Sequence, residues 1–246
     1  MKKLLLLSIL LQSFLLMMSQ PEKRSLQELV NTTDSGWPHV KEWIAAAKNK
    51  VEILPVDTVK AKSALYETQV TTRSPMGAIV YHSGGILVDD GWIRILGSGN
   101  DKLKRTLPEW NLDKTLIDSM ETSGFYLIAD DVIGGFFIMN GGFFGKDVGK
   151  IYYFSPDNLE FEPMDIGYSD FLSFCFNNDL NKFYEGYRWE GWRKEVVNLP
   201  GDKVYNFVPP LWTKEGRNFN KSSRAAVSIK EQFELNIYFR SQLGVK

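Results

Sequence analysis

Short apolar runs alternate with Gly, Asp, Asn and Pro over residues 124–176, and the stretch ends in an amphipathic segment. Short apolar runs bounded by turn residues favour strands, whereas apolar residues three and four apart favour a helix. The pattern predicts four strands, near 125–129, 135–139, 150–154 and 159–162, and then a helix near 168–177. A small antiparallel sheet with a helix packed on it is therefore expected.

Helical spacing characterises the chain on both sides of this block. Asp57 is a candidate N-cap for a helix over 58–68. Ser25 with Glu28, and Ser228 with Glu231, have the spacing of capping boxes, which predicts a short first helix and a last helix ending near Gln242. A further helix follows Pro38 and places these apolar residues on one face: Val40, Trp43, Ile44 and Ala47. Shorter helices are expected near 112–120, 179–185 and 189–199.

Residues 77–97 have a sequence pattern typical of strands. The apolar runs 79–81 and 86–88 flank a Gly-rich connection, and the turn Asp89-Asp90-Gly91 leads into a strand that starts at Trp92. An Asp-Gly pair between apolar runs is a strong hairpin signal. Residues 200–224, with Pro209-Pro210 at their centre, are expected to be irregular.

These elements predict an α+β fold, in which helices from both ends of the chain flank a mostly antiparallel sheet. A chain of 246 residues can form one large domain or two small ones. We expect a single domain over residues 21–246. The best internal boundary is the Gly-rich segment near 97–106.

The first twenty residues have the pattern of a secretory signal peptide. Lys2 and Lys3 precede an apolar run from Leu4 to Met18, which is short for a membrane span. This predicts an extracytoplasmic protein, periplasmic or secreted. An uncleaved N-terminal anchor is the alternative, and it is the only membrane attachment that the sequence suggests.

Composition narrows the function classes further. The formal net charge is −1, and the basic runs are short, so no nucleic-acid partner is expected. One cysteine, Cys175, excludes an intramolecular disulfide, and its apolar neighbours predict a buried, inert thiol. Two histidines are too few for a His-rich metal site. We expect neither a metal nor a cofactor.

Catalysis would need carboxylates and a base in one cleft. The pairs Asp89-Asp90 and Asp130-Asp131 both lie where a strand meets a turn, and His82 lies in a Gly-rich connection. If the two turns met, His82, Asp90 and Asp131 could act as a hydrolase site. The alternative is that the aspartates hydrogen-bond the backbone of their own turns, as Asp commonly does.

Paired aromatic residues offer the other candidate site. In a strand, adjacent residues face opposite sides of the sheet, so half of the rings in such pairs must be covered by a helix or by a partner. A ring left exposed would mark a binding face. The candidate binding residues are Trp92, Asp130, Asp131, Phe137 and Phe144.

Several motifs carry a family resemblance. The motifs HSGG, DDGWIRILG and GYSDFL, with the segments 54–99, 124–142, 149–176 and 187–192, resemble an uncharacterised bacterial family, the domain of unknown function 2625. That resemblance implies no activity. More loosely, 124–176 is similar to the SUKH superfamily, with Ser169–Leu172 at the start of its helix. This second resemblance implies a protein-binding module, and many members of that superfamily are immunity proteins.

The sequence thus favours a non-enzymatic, extracytoplasmic module that binds a protein or another ligand in a groove near the 82–91 and 130–142 turns. The alternative is a carboxylate-using hydrolase with an Asp/His cleft.

Overall fold

The computed structural model describes residues 23–112 and 124–245. The predicted signal peptide lies outside the described residues, and so does most of the predicted helix over 112–120. None of the helices in the two described ranges is long and apolar enough to cross a membrane.

A seven-stranded antiparallel sheet forms the centre of the molecule, and its strands lie side by side in chain order. Among the described strands, β1 and β7 are therefore the two at its edges. The strands are β1 (Val51–Leu54), β2 (Gly85–Val88), β3 (Ile93–Leu96), β4 (Phe125–Asp131), β5 (Phe136–Asn140), β6 (Ile151–Phe154) and β7 (Phe161–Pro163). The α+β fold and the antiparallel sheet predicted from the sequence are confirmed.

Helices precede, interrupt and follow the sheet: α1 (Leu26–Leu29), α2 (Trp37–Ala45), α3 (Thr58–Thr68), α4 (Pro75–His82), α5 (Leu107–Leu112), α6 (Tyr168–Asn177), α7 (Leu180–Phe183), α8 (Trp192–Val196) and α9 (Ile229–Gln242). The Asp57 carboxylate caps α3, accepting hydrogen bonds from the backbone N–H groups of Val59 and Lys60. The bounds predicted for α3 and α6 are confirmed.

Residues 79–81, predicted as a strand, instead belong to α4. The Ser74 hydroxyl accepts a hydrogen bond from the Gly77 N–H at 3.1 Å, and Pro75 occupies the first helical position. These N-terminal signals outweigh the strand preference of Ile79 and Val80, because a buried helix can also carry a continuous apolar run.

The region 200–224, predicted to be irregular, contains most of a second, two-stranded sheet. It is formed by β8 (Lys203–Val208) and β9 (Ser223–Ser228), which leads directly into α9. The Ser- and Ala-rich sequence of β9 gives little strand signal by itself, and it becomes a strand through pairing with β8. The helix predicted over 189–199 is shortened to α8.

One row of side chains crosses the entire large sheet. The register places these seven opposite one another from β1 to β7: Glu52, Leu87, Arg94, Asp130, Phe136, Phe154 and Phe161. We call this side the hairpin face, because α9 packs on it through Phe233, 4.9 Å from the Phe136 ring, and because Arg94 contacts β8. The opposite side, the helix face, carries Phe137 against Phe171 of α6.

Asp130 is the ionic centre of the hairpin face. Its side chain has no exposed surface and accepts from two arginines: Arg94 Nε at 2.6 Å and Arg105 Nη1 at 2.7 Å. Arg94 also donates to the Lys203 carbonyl at 2.6 Å, and Arg105 to the Gly201 carbonyl at 2.7 Å. One carboxylate therefore joins β3, β4, the 97–106 segment and the start of β8.

Replacing Asp130 should destabilise the fold strongly. Asp130→Asn leaves two guanidinium groups without their countercharge in the interior, and losing one partner of a buried ion pair costs about 3–5 kcal/mol. The matched control is Glu52→Gln, which breaks the ion pair between exposed side chains of Lys102 and Glu52 and should cost at most about 1 kcal/mol. Urea unfolding measures both variants, and equal losses would contradict the central role of Asp130.

Candidate functional site

Asp131 lies on the helix face, although Asp130 precedes it on the same strand. Its Oδ1 accepts from the backbone N–H groups of Ile133 at 3.1 Å and Gly135 at 2.8 Å. Its Oδ2 accepts from the hydroxyls of Tyr153 at 2.7 Å and Tyr184 at 3.1 Å. Burial raises the pKa of Asp131, and these four hydrogen bonds oppose that rise. The carboxylate closes the β4–β5 turn and ties the residue after α7 to the sheet.

Gly135 is required by this arrangement. A Cβ there would lie 2.2 Å from the Tyr153 hydroxyl and 2.4 Å from Asp131 Oδ2. Gly135 thus reflects close packing around a buried carboxylate.

The structure does not bring His82 together with Asp90 and Asp131. His82 ends α4 beside Gly85, whereas Asp90 follows Val88 and Asp131 pairs with Ile93, at the opposite ends of the same strands. The His82 ring stacks on Trp37 at 5.3 Å between ring centroids, and burial lowers its pKa.

Most of the predicted binding residues lie in the interior. Trp92, Asp130, Asp131 and Phe137 have no exposed surface, and Phe144 is half-buried against Tyr152, with ring centroids 4.2 Å apart. The aromatic pairs of β5 and β6 therefore serve the packing of both faces of the sheet. Cys175 is buried as well, and burial raises the pKa of its thiol.

Arg188 lies at the centre of a cluster of aromatic and ion-pair contacts that was not predicted from the sequence. Its guanidinium carbon lies 4.9 Å from the Trp92 ring and 4.4 Å from the Trp192 ring, and its Nη2 lies 2.6 Å from Asp89 Oδ2. It holds the start of α8 against the β2–β3 turn. An arginine between aromatics in YRWEGW, together with an aspartate-rich turn, is the signal that could have indicated it.

A cleft of about 380 Å³ lies between the end of α8 and the β1–β2 edge of the sheet, and we call it the edge cleft. Glu52, Leu87 and Arg94 of the hairpin face form its floor, and residues 196–201 form one wall. Asp90 and Gly91 line the cleft too, whereas no residue of 130–142, the other turn of the predicted groove, lines it.

Charges in the edge cleft balance. Its lining includes Lys50, Arg94 and Lys102, and the carboxylates of Glu52, Asp90 and Asp101. Lys50 pairs with Asp90 at 2.5 Å, and Lys102 with Glu52 at 2.5 Å. Both lysine side chains are mainly exposed, so these pairs can separate at low cost.

The edge cleft ends at a sheet edge. The carbonyls of Lys50 and Leu54 accept hydrogen bonds from Asp89 and Gly84, so the even-numbered residues of this segment direct their backbone groups toward β2. Because alternate residues of an antiparallel strand direct their backbone groups to opposite sides, Val51 and Ile53 direct theirs outward. No described strand pairs with that side of β1.

Chemically, this arrangement suits binding. Across residues 23–112 and 124–245, no group of three or more His, Cys, Asp or Glu side chains is placed to hold a metal ion. The edge cleft offers exchangeable ion pairs and an apolar floor residue, and it lies beside the side of β1 that pairs with no described strand.

The substitution Tyr153→Phe tests how the Tyr153 hydroxyl affects the pKa of Asp131. Removing a hydroxyl that donates to this carboxylate raises its pKa further. A carboxyl with a raised pKa in the folded protein loses stability as pH increases from the unfolded value, about 3.9, through the folded value. The loss in unfolding free energy should therefore be larger at about pH 7 than at about pH 4, by about 1–2 kcal/mol. The control, Tyr152→Phe, removes a donor to the partly exposed Asp147 and should show the smaller pH dependence. Equal losses of Tyr153→Phe at both pH values would contradict this.

Comparison with known proteins places the chain among uncharacterised relatives. A putative uncharacterized protein YbfG of Escherichia coli (strain K12) is 43% identical over 216 residues, covering 86% of this chain and 95% of that protein. An uncharacterized protein of Haemophilus influenzae is 39% identical over 214 residues, covering 87% of this chain and 90% of the relative.

No solved structure matches the chain. The resemblance to the SUKH superfamily is not shown by these comparisons and stays a prediction. The model of a family described as protein of unknown function DUF2625 matches residues 26–232, as the sequence motifs indicated. The chain belongs to that family.

Proposed function

We propose that the protein is a non-enzymatic binding module that works outside the cytoplasm and holds an extended segment of another polypeptide along β1. The observation that carries this proposal is the position of the edge cleft beside β1, whose outward side pairs with no described strand. An added strand gains main-chain hydrogen bonds from such an edge, and pockets beside it select the side chains.

The surface next to β1 has the composition of a docking site. Ile53 is 37% exposed and directly follows Glu52, and Val56, two residues beyond the end of β1, is 38% exposed. An interface needs apolar contact area surrounded by polar groups. A peptide with side chains of both charge signs could exchange partners with the Lys50–Asp90 and Lys102–Glu52 pairs.

The geometry favours binding over hydrolysis. A general base must reach the reacting group within hydrogen-bond distance, or through one water. His82 and Asp131 lie at opposite ends of the sheet strands, and Asp131 is enclosed by its own turn and two tyrosines.

Ile53→Pro should block peptide binding. Proline removes the N–H that points away from β2, so the ladder with β2 keeps its hydrogen bonds while a docking strand loses a donor. We expect ten-residue peptides of mixed sequence on an array to bind the parent protein, and Ile53→Pro to weaken that binding about tenfold or more. Ile53→Val retains the N–H and should bind as the parent does. Equal binding by the proline and valine variants, or no peptide retained by the parent, would overturn the proposal.

Export can be tested separately. Residues 1–22 fused to a reporter enzyme that needs disulfide bonds should give activity, because disulfides persist outside the cytoplasm. Leu10→Arg interrupts the apolar run and should abolish the activity, whereas Gln20→Arg adds the same charge beyond the run and should retain it. Reporter activity that survives Leu10→Arg would contradict an extracytoplasmic location.

A further inference from the structure

A second cleft lies at the opposite edge of the sheet, on the helix face. It has a volume of about 460 Å³ and separates β7 from α6. We call it the aromatic cleft, because its lining includes Tyr153, Phe174 and Phe183. Met164 and Ile166 add apolar surface.

The rings of the aromatic cleft form a continuous group. Phe183 packs edge-to-face with Phe174 at 5.0 Å and with Tyr153 at 5.5 Å between centroids. Phe174 and Phe183 remain half-buried, so parts of both rings border the cleft. The face of an aromatic ring attracts a cation.

Each of the two walls of the aromatic cleft carries a carboxylate. Glu162 lies on β7 and Asp170 in the first turn of α6, and the residues that line this cleft include no lysine or arginine. Within the described ranges neither carboxylate forms an ion pair; Glu162 accepts one hydrogen bond, from the Asn158 amide at 2.6 Å. The ammonium of neighbouring Lys150 is held by the Asp165 carbonyl at 3.0 Å.

The edge cleft provides the contrast. There each of two carboxylates, Glu52 and Asp90, already has a lysine partner, and the charges sum to zero. The aromatic cleft combines two carboxylates lacking such partners with apolar and aromatic surface, so a cation with an aliphatic body complements it.

We propose that the aromatic cleft binds a linear aliphatic diamine or polyamine. The ammonium groups pair with Glu162 and Asp170, and the methylene chain packs on Met164, Ile166 and the Phe174 ring. A hydrated metal ion fits less well, since much of the lining is apolar and only two carboxylates are present. This site is at the other sheet edge from β1 and does not rest on the proposed peptide binding.

Titration of the full chain with 1,6-diaminohexane tests the proposal, with 1,6-hexanediol as the neutral probe of the same length. Calorimetry should give saturable binding of the diamine with a Kd below about 1 mM and no binding of the diol. The Met164 methyl resonance, assigned through Met164→Leu, should shift with the diamine alone. Spermidine should bind at least as tightly as the diamine, because it adds a charge.

Variants separate a specific site from general attraction of cations. Glu162→Gln and Asp170→Asn change exposed side chains, and each should weaken diamine binding about tenfold. Asp165→Asn removes the same charge beside the cleft without changing its lining, and asparagine tolerates the left-handed backbone at φ 58°. That control should alter binding less than about twofold.

Three outcomes would overturn the proposal. These are absence of saturable diamine binding, binding of diol and diamine with equal affinity, or equal weakening by Asp165→Asn and Asp170→Asn. Phe174→Leu provides an independent check, since it keeps an apolar side chain and removes the ring; unchanged affinity would exclude the aromatic contribution.

Discussion

The buried carboxylate of Asp130 is the interaction on which the architecture depends. An unpaired charge in the interior costs several kcal/mol, so the position of Asp130 dictates where Arg94 and Arg105 must be. Those arginines have hydrogen-bond capacity left, and they use it on the carbonyls of Gly201 and Lys203. The segment that precedes β8 is thereby fixed over the sheet, and the same segment forms a wall of the edge cleft. Burial lowers the pKa of Arg94, and the negative charge of Asp130 opposes this shift.

The local sequence was sufficient to predict an element where a few adjacent residues determine its structure. Asp57 and the apolar spacing after it predicted α3, and the turn chemistry of Asp89-Asp90-Gly91 predicted the β2–β3 hairpin, because caps and turns depend on a few adjacent residues. The local sequence did not predict strands that form only by pairing with a distant segment. Neither β1 nor β9 has a strong pattern, and each is a strand because of its partner. Val80 is the converse case. It was predicted in a strand, but the Ser74 cap and the tertiary environment place this β-branched residue in a helix.

The same distinction applies to the candidate sites. Asp130 and Asp131 were recognisable as candidate site residues because they lie where a strand meets a turn. Their roles were not, because alternation along β4 directs them to opposite faces, where the first meets arginines and the second meets tyrosines from distant segments. Asp90, suggested from the sequence for an Asp/His site, lines the groove that we call the edge cleft. The partners of that groove come from residues 196–201, more than a hundred positions later, and no local pattern reveals them. Glu162 and Asp170 attracted no notice because two isolated acids carry no motif.

The shortness of β1 has a consequence for the behaviour of the protein in solution. An open strand edge can pair with any other extended chain, including a second copy of the same protein, and so invites aggregation. β1 has only four residues, Lys50 precedes it, and Pro55 follows it and cannot donate a hydrogen bond. Two copies joined edge to edge would therefore gain only a very short ladder. An edge built in this way disfavours pairing between copies, which is compatible with the proposed docking of a complementary peptide.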